Sequence, residues 1–413
     1  MKILISAAET SSDIHGAKLL EAIREILPPG TKCEVFGIGG PRLLAAGLKP
    51  VVDARKLLVM GFVEILGRLP QIFKAMRQMV RAAEQIRPDI GIFIDYPDFH
   101  FRLALRLKKL DFPLVYYIPP KVWVWRKSRV QLLRAYFSKI LCIFPHEEKF
   151  YQNENLNVSY VGNPLMDELP LTLSKKEARF KLGLLDSDLV VVLMVGSRPA
   201  ELRYHLELLL QSAYQAALEL KMTPVFKASG HLQVLVPFPA TVDLEQVKDR
   251  ISYWIDDEKQ KLLKIHVSQG NAHECLVAAD AGLIKSGTST LEAGLLKCPH
   301  AIVYRASRTT EWIFKYCIRY PGPVGLVNWV SGWAPGEYLV SEYLAKKATV
   351  DSLRKELVSL LLDPKKRDRQ KQGFETLLAQ MRPSVLGDLG SPSLRAAREI
   401  VEMMMQRKPR SLC

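Results

Sequence analysis

Short, almost wholly apolar runs alternate with segments of helical spacing, and the alternation starts twice. The first series is "KILISA", "CEVFGIGG", "DIGIFID", "PLVYYI" and "KILCIF", with helical patterns at 15–26, 68–86 and 99–110 between them. The second is "LVVVLMV", "TPVF", "LKIHV", "AGLI" and "HAIVY", with helical patterns at 199–220, 272–279 and 289–297. A strand that is apolar on both faces is buried on both, which calls for a parallel sheet with helices on each side. The segment "VGNPLMDELP" (161–170), punctuated by Gly162, Pro164 and Pro170, divides the series. The chain therefore predicts two Rossmann-like, doubly wound α/β domains: 1–165, 166–365, and a charged helical tail over 366–413 that packs back on the first. In such sheets ligands bind outside the carboxyl ends of the strands.

Composition narrows the function classes. At 413 residues with 48% apolar content the chain can build full cores without staples. The six cysteines show no CxxC pair and no metal-ligand spacing, which fits reduced, buried thiols. Lys and Arg outnumber Asp and Glu by 58 to 43, a formal charge of +15, which suits an anionic partner. The basic residues form no block, so a nucleic-acid arm is not supported. The start, "MKILISAAETSSD", lacks a signal-peptide core, and no stretch reaches the ~18 apolar residues of a membrane span.

The loops after the strands carry the candidate chemistry. In "AAETSSDIHGA" (7–17) Ser11, Ser12 or Asp13 is placed to cap a helix, and the small residues also let a ligand approach the backbone. In "FGIGGPRLLAAGL" (36–48) the glycines permit a tight turn but do not complete a dinucleotide fingerprint. In "IDYPDFH" Asp98 either caps the following helix or serves as a general base at a strand's carboxyl end. Trp123 and Trp125 of "PPKVWVWRKSR" face one way if extended, against a core or around a sugar or acyl chain. Two later loops form a pair. "MVGSRPAE" brings Gly196, Ser197 and Arg198; "IKSGTSTLEAG" brings Ser286, Gly287, Thr288 and Glu292. A small-residue loop at a helix N-terminus binds anions, and arginine adds a fork for phosphate. Glu292, one turn into its helix, suits ribose hydroxyls better than phosphate. Together these describe a nucleoside-diphosphate pocket.

These segments, in this order, resemble the lipid A disaccharide synthases, glycosyltransferases of the GT-B architecture in which two Rossmann-like domains face a cleft. The resemblance runs from residue 1 to about 350, on "ETSSD", "GIGGPRLLAAGL", "LLVMGFVEIL", "IDYPDFH", "PPKVWVWRKSR", "FPHEEKFY", "VGNPL", "GSRPAE", "KSGTSTLE" and "GLVNW". It implies that the enzyme joins UDP-2,3-diacylglucosamine to 2,3-diacylglucosamine 1-phosphate, makes a β(1→6) disaccharide, releases UDP, inverts the donor's anomeric centre and uses no metal or other cofactor. It implies Asp98 as the catalytic aspartate, Arg198 as an essential arginine, Ser286, Gly287, Thr288 and Glu292 as the nucleotide loop, and Asn328 as a further nucleotide contact. Glu9 is placed to orient an acceptor hydroxyl. The family usually has glycine where this chain has Ala8 and Ser12, a change that disfavours positive φ at both.

Acylated substrates imply a bilayer surface. Over 57–87 an apolar group that includes Met60, Phe62 and Phe73 precedes Lys74, Arg77 and Arg81, which suits an interfacial helix on anionic lipid or, equally, a core-facing amphipathic helix. The expected location is cytoplasmic, on the inner face of the inner membrane, with a homodimer possible. Two alternatives stand beside this reading: another GT-B enzyme acting on a UDP-sugar, or an inactive acyl-sugar or nucleotide-binding module.

Overall fold

The computed structural model describes residues 1–54, 62–122, 128–307, 322–332, 337–381 and 390–406. The chain divides into two compact units, Met1–Glu168 with Met381–Cys413, and Leu169–Gln380.

The first unit is built on β1 (Lys2–Ala7), β2 (Glu34–Gly39), β3 (Lys49–Asp53), β4 (Ile90–Ile94), β5 (Leu114–Tyr117), β6 (Lys139–Cys142) and β7 (Val158–Tyr160). They form one parallel sheet in the order β3-β2-β1-β4-β5-β6-β7. Alternate residues feed opposite cores, as two-sided burial requires. Ile3, Ile5, Ile92, Ile94 and Tyr117 pack with Leu19, Leu20 and Ile23 of α1 (Thr10–Ile26) and with Ala396 and Ile400 of the helix Pro392–Gln406. After α2 (Pro41–Ala45), α3 (Phe62–Ile86) and α4 (Pro97–Leu107) cover the other face, where Met76, Met79, Leu103 and Leu107 meet Leu4, Phe93 and Tyr116.

The second unit repeats the plan with β8 (Leu189–Met194), β9 (Leu232–Phe238), β10 (Leu263–Gln269), β11 (Ala281–Lys285), β12 (His300–Tyr304) and β13 (Glu342–Leu344). Its order is β10-β9-β8-β11-β12-β13, again all parallel. The tail expected from 366 splits between the units. The helix Pro364–Met381 lies almost entirely in the second, and the helix Pro392–Gln406 lies in the first.

One expected strand is corrected. "TPVF" opens a short helix, Pro224–Ser229, because the Thr223 hydroxyl accepts the Phe226 N–H and Pro224 takes the first helical position. The strand is β9, "LQVLVPF", buried along its whole length with Pro237 next to its end.

Candidate active site

In both sheets the strand order reverses beside the first strand, between β1 and β4 and between β8 and β11. At such a point the chain leaves adjacent strands in opposite directions and opens a crevice at their carboxyl ends. Four of the loops singled out in the sequence leave from these four strands, while those at 36–48 and 116–129 follow β2 and β5.

In the first unit β4 ends in two residues with left-handed backbone, Asp95 (φ 54°) and Tyr96 (φ 47°). Each such residue costs on the order of 1–3 kcal/mol, so the turn must be held by its surroundings. The Asp95 carbonyl accepts the Tyr116 hydroxyl at 2.8 Å and His100 Nδ1–H at 2.5 Å. With Nδ1 donating, His100 Nε2 accepts, and the Ser6 hydroxyl at the end of β1 donates to it at 2.8 Å. Complete burial pushes the His100 pKa down to about 3, so the ring stays neutral and the clamp keeps one tautomer. The turn then launches α4 with Pro97 at its start, which sets Asp98 in the first helical turn.

The Asp98 side chain is 73% exposed and pairs with Arg129, whose own side chain is only 12% exposed. The guanidinium also sits over the Phe101 ring, 5.8 Å from its centroid, so it is a fixed clamp on a reachable carboxylate. Burial raises the Tyr116 phenol well above its ordinary range, and the negative charges of Asp95, Asp98 and Glu9 push it further against Arg129. Burial also raises the Asp95 carboxyl, opposed by the Tyr96 N–H and the Lys121 ammonium. The charges of Glu9 and Asp98 thus act on both Tyr96 and Tyr116, each of which packs edge-on to the His100 ring.

Asp13 has a structural role. Its buried carboxylate accepts the backbone N–H groups of Gly40, Arg42 and Leu43, and so caps α2 rather than its own helix. Ser11 is exposed; Ser12 is buried, and its hydroxyl has no hydrogen-bond partner among the described residues. Neither Ala8 nor Ser12 has positive φ, so each Cβ is accommodated where the family usually has glycine. Phe73 is 41% exposed. Phe62 belongs to α3, and Met60, Trp123 and Trp125 lie outside the described residues.

In the second unit a cavity of about 380 Å³ opens at the strand ends. That lies within the span of small-molecule sites, roughly 300–1,000 Å³. Its wall includes Gly196, Ser197 and Glu201 after β8, Pro237, Phe238 and Pro239 at the end of β9, Gly270 and His273 after β10, and Lys285, Gly287, Thr288 and Glu292 at and after β11. Gly196 has φ 101°, and a Cβ there would collide with Glu201 Oε2. Glu201 Oε2 accepts the Ser197 and Arg198 N–H groups at 2.9 and 3.3 Å, while Oε1 takes the Lys285 ammonium at 2.6 Å. Burial works to raise the Glu201 carboxyl, but these bonds hold it below its usual range. Arg198 is exposed at the start of the helix Pro199–Leu220. Thr288 opens the helix Thr288–Leu295, whose first N–H groups have no intrahelical acceptor. One turn on, Glu292 Oε2 lies 3.4 Å from His273 Nε2.

Three expected nucleotide residues, Arg198, Ser286 and Asn328, stand apart from that wall. Asn328 is fully buried, with Nδ2 donating to Val340 O and Glu342 Oε1 and Oδ1 accepting from Val340 N–H. It ties the helix Leu326–Val330 to the edge of the sheet. The Ser286 hydroxyl donates to Val324 O. Arg129, His100, Lys285, Glu201 and His273 were not singled out from sequence. Among the described residues no group of three His, Cys, Asp or Glu is placed to hold a metal ion.

The model of one family, described as "Lipid-A-disaccharide synthetase", matches residues 3–387. The chain belongs to that family. A lipid-A-disaccharide synthase of Myxococcus xanthus is 34% identical over 403 residues, 98% of this chain and 97% of that one. One from Pseudomonas aeruginosa is 32% identical over 98% of this chain and 99% of its own. Membership makes the protein a glycosyltransferase of lipid A synthesis. Among solved structures, a Neisseria meningitidis UDP-GlcNAc 2-epimerase bound to UDP-GlcNAc superposes with a TM-score of 0.57 at 13% identity, covering 98% of this chain and 100% of that one. The calicheamicin glycosyltransferase superposes at 0.54 with 15% identity over 99% of both chains. These likenesses are of fold, and they place the chain in the two-domain architecture that the sequence implied.

Proposed function

We propose that the enzyme joins a UDP-linked diacylglucosamine to diacylglucosamine 1-phosphate in a single inverting displacement. The observation that carries this reading is the pairing of two different sites on the same topological position: a reachable carboxylate at the β1/β4 switch and an anion cradle with a cavity at the β8/β11 switch. Asp98 takes the proton of the acceptor's 6-hydroxyl, with Arg129 fixing its orientation. The oxygen attacks the donor's anomeric carbon, the bond to the β-phosphate oxygen breaks, and UDP leaves with the electron pair. Arg198 and the N–H groups at Gly287–Thr288 meet the charge that develops on the diphosphate, so the step needs no metal. Glu292, backed by His273, accepts hydrogen bonds from the ribose. Glu9 orients the acceptor.

The same reading puts the enzyme on the cytoplasmic face of an anionic membrane. No helix among the described residues is long and apolar enough to cross a membrane. In α3 the residues Ala75, Met76, Met79 and Ala83 are buried, while Pro70, Gln71, Phe73 and Lys74 are exposed. A helix with one face in the core and an apolar-basic turn outside suits contact with lipid headgroups.

Purified protein given UDP-diacylglucosamine tests the reading. UDP release that requires diacylglucosamine 1-phosphate is expected. Turnover without an acylated acceptor assigns the chain to another UDP-sugar reaction, and binding without turnover makes it an inactive module.

A further inference from the structure

We infer that Lys285 is a binding residue for the donor's diphosphate, an inference that rests on the nucleotide reading above. Lys285 ends β11 at the switch point and lines the cavity with its side chain 16% exposed. An ammonium carries three N–H donors. One goes to Glu201 Oε1 at 2.6 Å, its single ion pair among the described residues. The others are available to a ligand in the cavity. Nζ also lies beside the turn that opens the helix Thr288–Leu295, 3.6 Å from the place a Gly287 Cβ would take. The cation therefore sits where the helix presents its free N–H groups, and the two favour the same anion.

The Glu201 carboxylate offsets part of this charge but leaves the remaining N–H donors of the ammonium to a ligand. Its other oxygen is occupied by the Ser197 and Arg198 N–H groups. The carboxylate thus fixes the ammonium and the Gly196–Arg198 loop to one another across the reversal of the sheet. A diphosphate entering the cavity meets a lysine already held in place, in a site of low exposure where charge-assisted hydrogen bonds are strongest. Arg198, by contrast, is exposed. Lys285 holds the diphosphate in the ground state, and Arg198 is free to close on it.

Calorimetric titration with UDP and with uridine separates binding of phosphate from a strut that merely shapes the pocket. Wild-type protein is expected to bind UDP far more tightly than uridine; equal affinities overturn this inference and the nucleotide reading together. In Lys285→Met and Lys285→Gln, UDP affinity is expected to fall roughly 10–100-fold, the range for hydrogen bonds to a charged group. Uridine affinity is expected to stay unchanged, and Lys285→Arg to recover most of the loss. Unchanged UDP affinity, or equal losses for UDP and uridine, overturns the role of Lys285 while the nucleotide reading stands. A readout on the native protein needs no variant: UDP, but not uridine, is expected to protect Lys285 from reductive methylation, and equal labelling with and without UDP contradicts the inference.

Discussion

Gly196 and Gly287 both line the cavity of the second unit, yet they are glycines for different reasons. Gly196 holds φ 101° with Glu201 packed where a Cβ would go. Gly287 is extended, with φ 163°, and a Cβ there would meet only the flexible end of Lys285. Gly196→Ala is expected to cost about 1–3 kcal/mol of stability and to weaken UDP binding. Gly287→Ala is expected to leave the melting temperature within a degree or so while weakening UDP binding through lost backbone approach. Thermal melts beside UDP titrations check the contrast; a Gly287→Ala protein that melts like Gly196→Ala contradicts it. His100 is legible at the same scale. Its folded pKa, about 3, lies below the ordinary 6.5, so the native state binds fewer protons than the unfolded chain between those values. Its contribution is complete above about pH 6.5 and is lost as pH falls toward 3. His100→Asn, which keeps a donor and an acceptor, is expected to flatten the acid loss of stability by up to about 1.4 kcal/mol per pH unit near pH 4–5. Urea midpoints across that range read it, and parallel curves for the two proteins contradict it.

At the scale of elements, the proposed membrane contact rests on α3. Its Ala75–Ala83 face belongs to the core, whereas Phe73 and Lys74 do not. Phe73→Asp is expected to reduce co-flotation with anionic vesicles several-fold and to leave turnover of a short-chain soluble donor unchanged; equal flotation of both proteins removes α3 from the lipid contact. Elements also show what the sequence made legible. Continuous apolar runs such as "DIGIFID" and "LVVVLMV" declared their strands because parallel sheets bury both faces. The edge strands β3, β7 and β13 are short and only partly buried, so they carry little signal, whereas the edge strand β10, 7 residues long, is legible as "LKIHV". In the Thr223–Ser229 stretch a cap and a proline outweighed apolar content, and the neighbouring β9 went unread.

The whole molecule repeats one parallel-sheet plan, with the candidate loops at corresponding strand ends in each unit. The loops were readable as loops because each follows a strand. Their electrostatic partners were not: Arg129 reaches Asp98 from 31 residues away, and Lys285 reaches Glu201 from 84. Nothing local in the sequence encodes such pairs; the topology brings them together. It also gives Asn328 and Asp13 distant partners: Asn328 binds the Val340 backbone and the Glu342 carboxylate, and Asp13 holds the backbone of α2. The central claim is that one unit removes a proton while the other holds the nucleotide, and that the two roles are separable. Steady-state turnover and UDP affinity of Asp98→Asn, measured on the same preparation, test it most directly. The account predicts turnover lower by roughly 10²–10⁴-fold with UDP affinity intact. A near-normal rate, or a loss of UDP binding that matches the loss of rate, would contradict it.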